Sequence, residues 1–395
     1  MGNILQKEAT PPSVPAGPDE EQGSCITVRL QDLFVLFLSE KPIVNQHYAK
    51  VRKESEAWIS KQCSFNEQMS RIITKTNFSY FISISVPYAN PEELRTCCDW
   101  GNWVFPFDDK FDNGSLRDNP VESQKIIDCL LFRMKEGNEL SQEFEKDPLL
   151  QVHNSVWERI FRSILALTIK PSIPFIGVQR RFAKAMAEYA HGTISQVKNT
   201  ALNEHPSLEE VLALRRESAG VSPLFSLVEY AHRLDLPDEV FECHSIKEIN
   251  RIGVDFVVLQ NDILSYCKEE VSIYNPAIIL FGANGSIQKE GVEHNMVAVC
   301  RNSGMRAQEA FDCIGGMLTI RYRDWYLALA DLPSWGRDID AEVQKYIRGV
   351  RNVVQANLHW SFSSGRYFGD AVEEVRRTMM VKVQERSADK PEAGK

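Results

Sequence analysis

The chain has none of the long apolar runs, paired-cysteine motifs or basic excess that mark several common protein classes. No apolar run in its 395 residues approaches the ~18 needed to span a bilayer, so no integral membrane segment is expected. The nine cysteines form no CxxC pair and are odd in number, which argues against a disulfide framework or a structural zinc site. Reduced, buried thiols in a reducing cytoplasm are the expectation. Lysine and arginine total 45 against 54 acidic residues, a net charge of −9, so no nucleic-acid partner is expected. Residues 1–8 have no hydrophobic core for secretion. The eight histidines show no HExxH spacing, and no internal repeat is visible. His294 and His359 read as structural. Period-two alternation is scarce, and Phe81-Ile-Ser-Ile-Ser-Val86 is the one strand-like stretch.

What is present is helical. Hydrophobic content of 43% and charge of 25% suit a globular domain with a sizeable core. Val44, Tyr48, Val51, Ser55, Trp58 and Ile59 follow three-four spacing, as do Val156, Ile160, Ile164, Leu165 and Ile169. Ser207-Leu-Glu-Glu210 reads as a capping box, and residues 240–267 and 343–360 as further helices. Prolines, Pro106 among them, punctuate the segments. The pattern predicts one all-α domain over residues 25–370. A flexible tail at 1–24 and a charged tail at 371–395 flank it.

Three constellations carry chemistry. Asn261, Ser265 and Glu269 recur every fourth residue, so an α-helix stacks an amide oxygen, a hydroxyl and a carboxylate on one face. These are hard oxygen ligands of the kind that bind Mg²⁺. The apolar run before them, Val254-Asp-Phe-Val-Val-Leu259, puts that helix in a core, where polar side chains need partners and a cation supplies them. Asp108-Asp-Lys-Phe-Asp112 places Asp108 and Asp112 one turn apart, with Asp109 one residue off that face. A solvated acidic helix end is the competing reading, but the aromatic flanks Trp100, Trp103, Phe105 and Phe107 disfavour it. Arg366-Tyr367 offers a bidentate guanidinium and a hydroxyl to a phosphate. Two separated Mg²⁺ sites point to a substrate with a diphosphate.

In this order the three motifs resemble those of class I terpene synthases, specifically the microbial, fungal-type sesquiterpene cyclases. The aspartate-rich motif matches at Asp108-Asp-Lys-Phe-Asp112, and the NDxxSxxxE triad at Asn261, Ser265 and Glu269, with Lys268 before the glutamate. The WSxxSxRY ending matches at Trp360-Ser361, Ser364 and Arg366-Tyr367. The family's diphosphate-sensing arginine, about 46 positions before the triad's asparagine, falls on Arg215, with Arg216 as the neighbouring alternative. Ser218 and Ala219 then take the linker and effector positions. Two departures leave the motifs intact: a long stretch between Asn261 and Arg366, with residues 286–293 as part of an insertion, and the extra N-terminal tail.

The resemblance implies a single helical bundle around a central cavity. It implies three Mg²⁺ ions, two near Asp108, Asp109 and Asp112 and one on the triad. Arg215, Lys268, Arg366 and Tyr367 would contact the diphosphate of an isoprenyl diphosphate, most simply farnesyl diphosphate. Ionisation and cyclisation to a sesquiterpene would follow. Phe105 and Trp360 are candidates for lining the cavity and stabilising a carbocation, with plain core packing as the competing reading. Mono- and diterpene synthases are the near alternatives, on geranyl and geranylgeranyl diphosphate. A prenyl-chain elongase would carry a second aspartate-rich motif in place of the triad, and a protonation-initiated cyclase a DxDD. A non-catalytic binding module would not need both ligand sets. A monomer or a homodimer is compatible with the chain.

Overall fold

The computed structural model describes residues 24–112, 114–134, 147–167, 175–202, 207–274 and 294–390. Strand β1 (Cys25–Arg29) leads into a 3-10 turn and then helices α1 (Tyr48–Gln62), α2 (Glu67–Thr76), α3 (Phe78–Ser85), α4 (Pro91–Asp112), α5 (Pro120–Phe132) and α6 (Pro148–Leu167). Next come α7 (Phe175–Leu202), α8 (Leu208–Ser218), α9 (Val221–Ala231), α10 (Asp238–Glu242) and α11 (His244–Tyr274). The chain then runs through α12 (Met296–Asn302), α13 (Ala307–Ala330), α14 (Arg337–Ser361), α15 (Val372–Thr378) and β2 (Met380–Gln384). Among the described residues no helix is long and apolar enough to cross a membrane.

Local chemistry sets the helix starts. Asn66 caps α2 by accepting from the Met69 N–H at 2.8 Å, and Asn119 caps α5 with Pro120 at its first position. Ser207 and Glu210 form the capping box of α8. Helix α11 is apolar on most of its surface and central: Ile249, Ile252, Phe256, Val258, Leu259 and Leu264 are fully buried. It packs between α8, α13 and α14, while α3 lies against α14 and α1 against α4. Buried Asn102 of α4 donates to Ser55 Oγ at 2.8 Å and Ser79 Oγ at 3.2 Å, joining α4 to α1 and α3.

Several sequence expectations are corrected. The strand-like stretch from Phe81 is helix α3, buried on all sides. Its serines satisfy themselves against the preceding turn, Ser83 donating to the Ser79 carbonyl (2.7 Å) and Ser85 to that of Phe81 (3.0 Å), so the alternation carried no strand. Pro106 does not end a segment; it lies inside α4. Of the nine cysteines, expected as buried thiols, only Cys97, Cys98 and Cys300 are buried, and Cys25 is exposed. Residues 1–23, 286–293 and 391–395 lie outside the described residues.

The segment from residue 371, expected as a charged tail, is instead part of the body. Strand β2 pairs antiparallel with β1, Val381 opposite Val28 and Val383 opposite Ile26. Val28, Val381 and Val383 are buried. The Gln384 N–H donates to Glu270 Oε2 of α11 at 3.0 Å, and Arg386 reaches both Tyr266 and Glu270 at 3.2 Å. Buried Arg301 of α12 donates to Asp389 at 2.9 Å. Arg386 and Asp389 of that charged segment are therefore partners of buried groups on α11 and α12.

Val383→Ala is expected to lower the unfolding free energy by about 2 kcal/mol, from lost burial plus a residual cavity. Lys382→Ala, on the exposed side of the same strand, should stay within about 0.5 kcal/mol. Urea denaturation checks both, and equal effects would mean the segment is peripheral.

Candidate active site

Helices α4, α7, α8, α9, α11 and α14 enclose a cavity of about 240 Å³. One part of its wall is aromatic and aliphatic. Phe105 stacks on Trp360 (centroids 5.7 Å, 24°), and Phe78 meets both edge-on at 4.8 and 5.3 Å. The Trp360 indole N–H donates to the Thr76 carbonyl at 2.7 Å, which fixes the ring plane. Phe81, Trp100, Leu224 and Val257 extend this surface. The other part is polar, and the two meet at Arg366, whose guanidinium carbon lies 4.5 Å from the Phe105 ring centroid.

The aspartate-rich turn enters from α4. Phe107 buries the opposite face, stacked on Trp103 at 4.5 Å, while Phe111 joins the cavity wall. That anchoring turns Asp108 and Asp109 to the cavity. Lys110 points elsewhere and pairs with Asp147 at 2.5 Å. The Tyr189 hydroxyl of α7 donates to Asp108. Asp112 closes α4, and its side chain lies outside the described residues.

Asn261, Ser265, Lys268 and Glu269 of α11 line the same cavity. The intervening Asp262 does too, and it is fully buried. Arg215 Nη2 donates to both Asn261 Oδ1 (3.0 Å) and Asp262 Oδ1 (2.9 Å). Arg216 faces away, forked onto buried Asp255 at 2.6 and 2.9 Å, so Arg215 is the arginine that reaches the cavity. The turn carrying it is sharply defined. Helix α8 stops at Ser218, Ala219 follows, and Gly220 turns left-handed at φ +65° to start α9. On α7, a Cβ at Gly192 would sit 2.6 Å from the Ser218 nitrogen, so only glycine lets the two backbones meet there. Ser218 and Ala219 line the cavity beside Arg215.

Tyr367 joins the third motif to the triad, its hydroxyl accepting from Asn261 Nδ2 at 2.8 Å. Burial pushes the Tyr367 pKa up against the opposing pull of Arg366, so it remains a proton donor. Burial, with Asp262 nearby, also raises the Glu269 carboxyl, against hydrogen bonds from Ser265 and Asn295. Asp262 is raised by burial in spite of Arg215 and the Met296 N–H. Buried Asp262, paired with Arg215, and half-buried Glu269 are seven residues apart on one stripe of α11, so their carboxylates lie where a further cation is favoured.

The sequence reading did not single out Asp262, Tyr189, Arg117 or Asn295, all of which line the cavity or bond its ligands. Asp262 was visible as the second letter of the triad motif, but its role comes from Arg215, across a helix boundary. Nothing local marks the other three. His294, read as structural, lines the cavity, and burial beside Arg215 and Arg117 lowers its pKa to about 4, so it is neutral. His359 stays outside the cavity wall, edge-on to Phe34 at 5.5 Å.

The donor set fits Mg²⁺. Asn261, Ser265 and Glu269 offer one amide, one hydroxyl and one carboxylate oxygen, and Asp108 and Asp109 add carboxylates to the same cavity.

Known proteins agree with this architecture. A family profile described as terpene synthase family 2, C-terminal metal binding, matches residues 99–324. Silphinene synthase of Penicillium patulum is 38% identical over 363 residues, 90% of each chain. The (+)-eremophilene synthase of Gibberella fujikuroi is 34% identical over 350 residues, 88% of this chain and 90% of that one. Among solved structures, α-eudesmol synthase superposes with a TM-score of 0.65 at 16% identity, covering 82% of this chain and 98% of that one. Wild-type cucumene synthase gives 0.64 at 15%, with the same coverage. At those identities the structures speak for the fold, and the sequence relatives for the family: the chain belongs to the terpene synthases.

Proposed function

We propose that this chain is a Mg²⁺-dependent sesquiterpene cyclase. It ionises farnesyl diphosphate, cyclises the resulting cation and releases diphosphate. The observation that carries the reading is the joint lining of one cavity by Asp108 and Asp109 from α4, by Asn261, Ser265 and Glu269 from α11, and by an aromatic wall. The names of the silphinene and eremophilene synthases point to the same class of reaction.

Charge balance supports it. Among the described lining residues, Arg117, Arg215, Lys268 and Arg366 are matched in number by Asp108, Asp109, Asp262 and Glu269. Those side chains cancel, so a polyanionic diphosphate brings charge that the protein alone does not offset. Divalent cations complete the balance, and three Mg²⁺ are proposed, with Asp108, Asp109 and Asp112 holding two and Asn261, Ser265 and Glu269 holding one. When bound, the metal supplies Lewis-acid stabilisation of the leaving group. Arg215, Lys268, Arg366 and the Tyr367 hydroxyl would bind diphosphate oxygens, with Arg117 as a further cation in the same wall. They orient the scissile C–O bond; its electron pair leaves with the diphosphate and the allylic carbon keeps the positive charge.

The aromatic wall then has two tasks. It excludes water from the cation, and its ring faces attract positive charge by about 0.5–2 kcal/mol per contact. The Arg366 guanidinium already covers one face of Phe105. A bidentate bond to diphosphate is stronger than a cation–π contact, so Arg366 would leave that face to the substrate as it engages the leaving group. Ser218 and Ala219 would contour the cavity next to Arg215.

Incubation of the purified chain with Mg²⁺ and, separately, geranyl, farnesyl and geranylgeranyl diphosphate is the direct test. A cyclic sesquiterpene from farnesyl diphosphate by gas chromatography–mass spectrometry is expected. Product from the twenty-carbon substrate alone would reassign the chain length. Silence with all three would defeat the cyclase reading, a real outcome because one relative, 30% identical over 364 residues, is described as inactive. Asn261→Ala and Glu269→Ala should each lower kcat at least about a hundredfold while the helical circular-dichroism signal persists.

The raised Glu269 pKa adds a pH signature. A carboxyl raised on folding contributes stability below its unfolded pKa and loses it as pH rises through the folded value. Bound Mg²⁺ favours the ionised form, so the gain in Tm on adding Mg²⁺ and pyrophosphate should grow as pH rises above the ordinary glutamate range. Glu269→Gln should flatten that growth. A wild-type gain that is independent of pH, or an unchanged slope in the variant, would remove Glu269 from the metal site.

A further inference from the structure

Asn295 lies outside all three motifs, yet it holds the triad from behind. It is buried, and it sits immediately before α12. Its Oδ1 accepts from the Val297 and Ala298 N–H groups at 2.9 and 3.3 Å, capping α12. Its Nδ2 donates to Glu269 Oε2 (2.9 Å) and the Asp262 carbonyl (2.9 Å), with Ser265 Oγ at 3.4 Å. The cap fixes which end of the amide is which, because a flip would aim Oδ1 at the Glu269 carboxylate and Nδ2 at two N–H donors. The two short bonds use both amide hydrogens, leaving the Ser265 contact as the weak one.

The next residue completes the junction. The Met296 N–H donates to Asp262 Oδ2 at 2.9 Å, so α12 is bolted to α11 at both Asp262 and Glu269. The bolt has a rigid base, since Met296, Val297 and Ala298 are fully buried. A primary amide places its acceptor and its two donor hydrogens at opposite ends of one neutral planar group, whereas a hydroxyl has a single hydrogen on the same oxygen that caps; asparagine also has the shorter reach of a cap.

We propose that Asn295 is a positioning residue for the metal triad. It fixes the Glu269 carboxylate and its relation to Ser265 before a cation arrives, and it makes ligand geometry depend on α12 as well as α11. The inference rests on the Mg²⁺ reading given above. Outer partners of metal ligands typically contribute about 10–100-fold in metal affinity.

The test separates the donor from the cap. Asn295→Ser keeps an oxygen to cap α12 and loses the amide donor; Asn295→Thr does the same should the serine variant fail to fold. Asn66→Ser makes the same exchange at the cap of α2, away from the cavity. Calorimetric titration of Mg²⁺ in the presence of inorganic pyrophosphate reads the affinity, and thermal unfolding without metal reads the cap. Asn295→Ser should weaken Mg²⁺ binding at least about tenfold, and Asn66→Ser should leave it unchanged. The metal-free Tm should change by a similar small amount in both. Wild-type affinity in Asn295→Ser, or an equal loss in Asn66→Ser, would overturn the assignment while leaving the Mg²⁺ reading intact. Absence of Mg²⁺ binding by the wild type would overturn both.

Discussion

Ionised carboxylates placed inside a protein repel each other and lose their hydration, and the cavity wall is organised around that cost. Asp262 and Glu269, seven residues apart, share one stripe of α11, and burial pushes both toward the neutral form. Arg215 offsets one of them from α8, and the Asn295 amide and Ser265 hydroxyl partly offset the other. Asp108 is met by the Tyr189 hydroxyl from α7. Neutral donors are weak compensation for a charge, so the wall is poised to gain most from a divalent ion. Helix placement, the α8–α9 break and the docking of α12 all deliver groups to that one electrostatic problem.

The same economy appears where the polar and apolar walls join. Arg366 lies over the Phe105 ring, and Tyr367 is tied to Asn261 rather than to solvent. Both groups of the third motif are therefore preorganised at the rim of the charge cluster. A cation–π contact is readily exchanged for phosphate oxygens, whereas a buried ion pair is not.

Legibility of the fold followed the range of the forces involved. The triad on α11 was readable because helical periodicity is local, and the capping box at Ser207 because its two partners are three residues apart. The choice between Arg215 and Arg216 was open in the sequence, since it depends on Asp255 claiming one of them. Helix α3 read as a strand because alternating serines mimic a half-exposed pattern, when each serine was bonding its own preceding turn. Asn295 and Arg117 carried no signal, because a residue beside a helix start acquires meaning only when a distant surface meets it. The terminal strands were hidden for the same reason: neither Cys25–Arg29 nor Met380–Gln384 has a partner within its own neighbourhood.

That terminal pairing constrains how the protein is made. Strand β1 is among the first described parts to leave the ribosome, and β2 is among the last. Val28 therefore stays without its cross-strand neighbour, and the Glu270 side of α11 without its cover, until residues 380–384 have been made. Closing so long a loop is a late event that cannot proceed piecemeal. The buried side of β1 and that flank of α11 are therefore among the last surfaces of the described fold to be covered as the chain emerges.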